Sequence, residues 1–190
     1  MNEKRMLEYI PGTVMLKEKM GNTTGLEFLN KIYFISDGIK LSQIKEITGV
    51  DGTTLQNWVK RGWILSPVNK AYGMDQLASI LIINMMRDTV QLSKISFLLK
   101  YLNGSVDSKD DDIIQESLLY DYICKVLEIW CGSGAEKDLA ATITEVTSDY
   151  VERFTGARKR LERTLEIIVR SYQATLIKRY TDSLIDDIYN

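Results

Sequence analysis

From Leu161 onward, Leu165, Ile168, Tyr172, Leu176, Tyr180, Leu184 and Ile188 recur at intervals of three or four residues. That spacing keeps one face of an α-helix apolar for about seven turns, whereas a strand would alternate every second residue. Only two prolines occur in 190 residues, so little interrupts helices elsewhere. The fold class expected is therefore all-α. Strict heptads are not sustained over the tail, which favours packed antiparallel helices over a long two-stranded coiled coil. Within this helix "ARKRLER" reads as a solvated basic turn, and Gly156 as a bend or break before it.

Other helices are marked by their ends. Thr24 and Glu27 have capping-box spacing ahead of an apolar stripe of Leu26, Leu29 and Ile32, joined by Phe28 and Ile35. Asp37-Gly38 reads as its stop, with Gly38 suited to a left-handed position. Ser42 caps a short helix with Ile44 and Ile47 inward, and Gly49 ends it. Asp51 caps the next, with Leu55, Trp58 and Val59 buried and Thr53, Thr54, Gln56, Asn57 and Lys60 outside. Two short helices joined by a tight glycine turn form a helix-turn-helix. "WILSPVNKAY" then reads as a short hairpin or wing. "MDQLASILIINMMRDT" is apolar on nearly every side, as a helix buried on most faces would be. "SKISFLLKYLNG" is a further helix, and "GSVDSKDDD" a linker whose Asp110 to Asp112 favour the N-terminus of the next helix. That helix ends at Gly132, and Ser133 with Glu136 opens another, "AEKDLAATITEVTSDYVERF".

Composition removes several function classes. Histidine is absent, so the usual general base near neutral pH and the commonest metal ligand are missing. A nucleophile–histidine hydrolase is excluded, no catalytic residues stand out, and no metal or other cofactor is expected. Cys124 and Cys131 lie seven apart. On one helix they stack about 10 Å apart, too far for a mutual disulfide, and read as buried apolar thiols. No apolar run approaches a membrane span, and "MNEKRMLEYIPGTVM" lacks the apolar stretch of a signal peptide, so a cytoplasmic protein with no membrane partner is expected. The formal net charge is −2, but it is unevenly spread: between Lys40 and Asn103 basic residues outnumber acidic ones by four, and after Asn103 the chain is acidic.

The stretch from Leu41 to Leu99 resembles the MerR-type winged helix-turn-helix. A helix ends in Gly49-Val50, and a Thr-Leu-x-x-aromatic helix, Thr54 to Trp58, follows. Gly62 then precedes an apolar residue and Pro67, and a basic-x-Tyr wing, Lys70 to Tyr72, leads into a long helix and a Leu-x-x-Ile helix at Leu92. The chain as a whole also resembles an uncharacterised family of Gram-positive bacterial proteins known as a domain of unknown function; that second resemblance implies no activity. The first implies base and phosphate contacts from Thr53, Gln56 and Asn57, a backbone contact from Lys70, and Tyr72 as the aromatic after it. Trp58 falls where the family has a tyrosine packed beneath the recognition helix. Two departures weaken the implied affinity. Gln56 replaces the usual Arg; it can read an adenine edge but adds no charge. The wing carries one Lys where the family has paired Arg, a point charge without a bidentate fork.

The expected architecture is an all-α chain: a helical extension over 1–37, a MerR-like winged helix-turn-helix with a small β-wing over 38–103, a linker over 104–110, and a C-terminal bundle of long amphipathic helices over 111–190. The expected function is a DNA-binding transcriptional regulator, not an enzyme. Its contacts to double-stranded DNA come from Thr53, Thr54, Gln56, Asn57, Lys60, Arg61, Lys70 and Tyr72, with the N-terminus of the recognition helix offering free N–H groups to phosphate. Lys94 and Lys100 are placed for flanking backbone contacts. The tail makes a homodimer that sets two recognition helices about 34 Å apart. Six tyrosines between Tyr120 and Tyr189 are candidates to line a pocket for a small-molecule effector. The alternatives are a winged-helix protein-interaction module without DNA binding, and a phage-type recombination accessory protein. Cutting the chain after Asn103 is expected to leave a folded monomer.

Overall fold

The computed structural model describes residues 8–104, 112–132 and 138–189. It is mostly helical. In order come α1 (Gly25–Tyr33), strand β1 (Ile39–Lys40), α2 (Leu41–Thr48), α3 (Gly52–Lys60), strand β2 (Ala71–Tyr72), α4 (Met74–Met86), α5 (Leu92–Asn103), α6 (Glu116–Gly132), α7 (Leu139–Val146) and α8 (Ala157–Tyr189). β1 and β2 pair antiparallel, with Ile39 opposite Tyr72 and Lys40 opposite Ala71. Among the described residues no helix is long and apolar enough to cross a membrane. The expected linker and the Ser133–Glu136 capping box lie outside the described residues, apart from Gly104.

α4 is the centre. Leu77, Ala78 and the run Ile80–Met86 are all buried, so the helix has almost no solvent face. It packs most extensively against α6 and α8, and also against α1, α2 and α5. Its one buried amide, Asn84, donates to Gly12 O at 2.9 Å and Thr48 O at 3.0 Å, fixing the N-terminal loop and the end of α2 to the same pillar. One apolar core therefore joins the N-terminal extension, the helix-turn-helix stretch and the C-terminal helices among the described residues.

α1 starts where expected but is capped differently. The Thr24 side chain makes no cap bond; its hydroxyl donates to Glu128 of α6 at 2.6 Å. Glu27 instead lies 3.9 Å from Lys31. The orphan N–H of Leu26 goes to the Asp121 carboxylate of α6 at 2.8 Å. Gly25 sits at φ 55°, and a Cβ there would overlap that carboxylate, so α1 and α6 meet this closely only because residue 25 is glycine. The helix ends at Tyr33, not at Gly38, which leaves Phe34 and Ile35 exposed.

The tail differs from its sequence reading in two places. α7 stops at Val146, and the chain turns until Gly156 at φ 92° admits α8. The "ARKRLER" turn is only partly solvated. Arg158 donates to Thr147 O at 2.7 Å and Tyr150 O at 2.5 Å, and Arg160 bonds the carbonyls of Tyr101 and Leu102 at the end of α5. These guanidinium groups close the 147–156 turn and the end of α5 onto α8. Both cysteines fall on α6, where burial pushes the Cys124 thiol up to about 12 and keeps it protonated.

Shared packing changes what truncation should do. Deleting everything after Asn103 strips α6 and α8 from α4 and bares apolar side chains of that helix. Each side chain is worth about 1.5–3 kcal/mol when buried, and several are lost together. The truncated chain is expected to lose its cooperative thermal transition by circular dichroism, in place of the folded monomer suggested by the sequence. A fragment that melts cooperatively would show that the first half holds its own core.

Candidate nucleic-acid interface

α2 and α3 are joined by three residues, and each does one job. Gly49 takes φ 70°, a left-handed value that favours glycine, and its N–H closes α2 onto Lys45 O at 2.8 Å. Val50 is fully buried and anchors the turn. Asp51 caps α3, accepting from Thr54 N at 2.9 Å and from the Thr54 hydroxyl at 2.6 Å. At the start of α2, Gln43 and not Ser42 supplies the cap: its side-chain oxygen accepts from Lys40 N at 2.8 Å.

With Leu55 and Trp58 facing the core, Thr53, Gln56, Asn57 and Lys60 fall on one exposed face of α3. Arg61 follows, its guanidinium 5.3 Å from the ring centre of Trp63. Arg87, just after α4, lies 6.0 Å from the Trp58 ring centre. Among the described residues Lys60, Arg61 and Lys70 are in no ion pair.

Lys70 stands apart, on a tight turn. Val68 and Ala71 exchange both backbone hydrogen bonds, at 3.0 and 2.9 Å, around Asn69 at φ 51° and Lys70 at φ 63°. Two central residues with positive φ make a type I′ turn, the form matched to the twist of a hairpin. Lys70 is exposed there. The turn is held from behind by Gln76, whose amide donates to Leu65 O at 2.9 Å and Ser66 O at 3.0 Å while its oxygen accepts from Gly73 N at 2.7 Å. The signal for Gln76 in the sequence is its position three residues after Gly73, the spacing of a capping residue.

Three expectations change. Tyr72 is 4% exposed, because pairing with Ile39 turns its ring into the core; it supports the turn and cannot face outward. Thr54 commits its hydroxyl proton to Asp51. The N-terminus of α3 is not open to an anion, since the Asp51 carboxylate already occupies it. Hydrogen bonds from Thr54 hold the Asp51 carboxyl below its ordinary value, so the group is charged throughout the neutral range and the cap is lost only as pH falls through that lowered value. Three of the six tail tyrosines have hydroxyl partners, and Tyr180 and Tyr189 are exposed. The hydroxyls of Tyr120, Tyr122 and Tyr150 donate to Pro11 O, the Asp149 carboxylate and Ile113 O at 2.7, 2.8 and 3.2 Å, and with Tyr172 these rings are packed in the core.

Comparison with known proteins gives a family but no activity. The uncharacterised protein YkrK of Bacillus subtilis (strain 168) is 24% identical over 119 residues, 60% of this chain and 51% of that protein, so the chain spans about half the length of this relative. No solved structure matches. The description "Domain of unknown function (DUF1836)" matches residues 28–123, which begins inside α1 and ends inside α6. By this match over half its length, the chain belongs to the DUF1836 family.

Proposed function

We propose that the protein is a DNA-binding transcriptional regulator, with α3 in the major groove and Lys70 on an adjacent phosphate. The observation that carries this reading is the exposed face of Thr53, Gln56, Asn57 and Lys60 on a short helix, presented by a tight turn and backed by Trp58 and Arg87. Such a face supplies polar groups for base edges, and Lys60, Arg61 and Lys70 supply charge for phosphates. Asp51 favours the second reading, a protein-interaction module, because a carboxylate at the helix N-terminus repels phosphate.

The two readings part on three substitutions. Lys70→Gly suits the positive φ of its position, so its melting temperature should hold or rise, while affinity falls about equally on every DNA sequence. Gln56→Ala should alter sequence preference. Asp51→Asn keeps a capping side chain and removes the charge, and should strengthen DNA binding about two- to fivefold. Fluorescence anisotropy on a set of duplexes reads all three; unchanged binding throughout overturns the assignment of α3.

The reading includes a homodimer made by the tail. Its support is the far end of α8, where Tyr180, Leu184 and Ile188 continue the apolar stripe beyond the core at 45%, 46% and 85% exposure. Leu184→Glu, distant from the core, should convert a dimer to a monomer in sedimentation equilibrium without loss of helix. A wild-type monomer at high micromolar concentration contradicts the dimer.

A further inference from the structure

We infer that the projecting end of α8 in one copy docks on the outer face of α5 in a second copy, and that the contact is made reciprocally within one dimer. The inference rests on the homodimer proposed above and supplies the surface that receives its arm; DNA binding has no part in it. From Ile177 to Tyr189 every residue of α8 is exposed, including Leu184, Ile185 and Ile188 at 46%, 47% and 85%. The cations at the root of this arm are engaged nearby, Lys178 with Asp182 at 2.7 Å and Arg179 with Asp88 at 3.2 Å. Asp186 and Asp187 stand in the last turn, which has no basic residue. Carboxylates there add to the negative end of the helix dipole, so a cationic surface alongside is favourable. That sign belongs to the turn as a whole and does not require either carboxylate to lack a local partner.

The outer face of α5 is its complement. Ser93, Lys94, Phe97, Lys100 and Tyr101 are the exposed residues of that helix. At about 3.6 residues per turn, Phe97 lies in the middle of the face, with Lys94 a turn before it and Lys100 a turn after it on opposite sides. α5 contains no carboxylate, and among the described residues Lys94 and Lys100 are in no ion pair. Phe97 is 71% exposed, and Tyr101 continues the apolar surface with the Arg160 guanidinium 5.0 Å from its ring centre. One surface therefore sets rings among cations, and the other sets Leu and Ile among carboxylates. Such surfaces gain from both apolar burial and opposite charge.

The arm cannot reach the α5 face of its own chain. Arg160, near the start of α8, bonds the carbonyls of Tyr101 and Leu102, and Arg179 is already level with Asp88, ahead of α5. α5 thus lies beside the part of α8 that precedes the arm. α8 is unbroken to Tyr189, so the arm runs on past the body, with Asp187 about 12 Å beyond Arg179. A second copy supplies what the chain cannot give itself, and a two-fold axis lets each arm find the other copy's α5.

The test is sedimentation equilibrium of the full-length protein without DNA. Phe97→Ser should weaken the dimer about tenfold or more, since the lost contact counts twice per dimer. Lys94→Glu with Lys100→Glu should weaken it about as much, and so should Asp186→Lys with Asp187→Lys. Joining the two pairs of reversals in one chain should bring the dimer back to within about threefold of the unmodified protein. A folding defect cannot produce that recovery, and circular dichroism checks the helix content of each variant. For the place of contact, p-benzoylphenylalanine in place of Phe97 is irradiated in a mixture of isotopically light and heavy protein. Crosslinks should join position 97 of one copy to residues 177–189 of the other. A monomeric unmodified protein overturns the dimer and this inference together. A dimer that Leu184→Glu breaks and Phe97→Ser leaves unmoved keeps the dimer and overturns the α5 site. Reversals that do not recover in combination, or crosslinks that fall elsewhere, also overturn it.

Discussion

Everything else in the structure leans on α4. A helix buried on almost all sides must be covered by other elements, and here α1, α2, α5, α6 and α8 all contribute. Asn84 is the polar member of that helix's buried positions, and both its donor bonds go to backbone carbonyls of other segments, at Gly12 and Thr48. Hydrophobic burial supplies the energy, and these directional bonds help fix the orientation of α2 and α3 relative to the helical half. The candidate interface is thus held on the same pillar as the tail.

The second tie is the α1–α6 clasp. Asp121 caps α1, Lys125 lies 2.7 Å from Asp121, and Thr24 and Lys17 both reach Glu128, at 2.6 and 3.1 Å. Apart from the Asp121–Lys125 pair within α6, these contacts join segments far apart in sequence.

Local features were legible in the sequence and long-range ones were not. Asp51 before Thr54, Gly49 after α2, and the apolar period of α8 are decided within a few residues, and the structure has the elements they imply. The all-round apolar character of α4 likewise announced its burial. The cap of α1 was misread because its acceptor arrives from 95 residues away. Tyr72 was misplaced because the side of a two-residue strand is set by its partner, Ile39, and not by neighbouring residues. The basic turn at the start of α8 was read as solvated because no sequence pattern reveals that Arg158 and Arg160 find carbonyls on other segments. Of the candidate interface, the exposed α3 positions and Lys70 are outward as expected, while Thr54 and Tyr72 serve the scaffold.

The overall charge of −2 makes the DNA reading depend on a local concentration of cations at α3 and the Asn69–Lys70 turn. Binding through phosphates must release counterions, and binding through a protein partner need not. The most direct test is therefore fluorescence anisotropy of the full-length protein on the duplex upstream of its own gene and on a scrambled duplex, across a salt series. Tighter binding to the native duplex is expected, with an affinity that falls steeply and linearly on logarithmic axes as salt rises. Weak binding, equal on both duplexes, would contradict it and leave the α3 face to a protein partner.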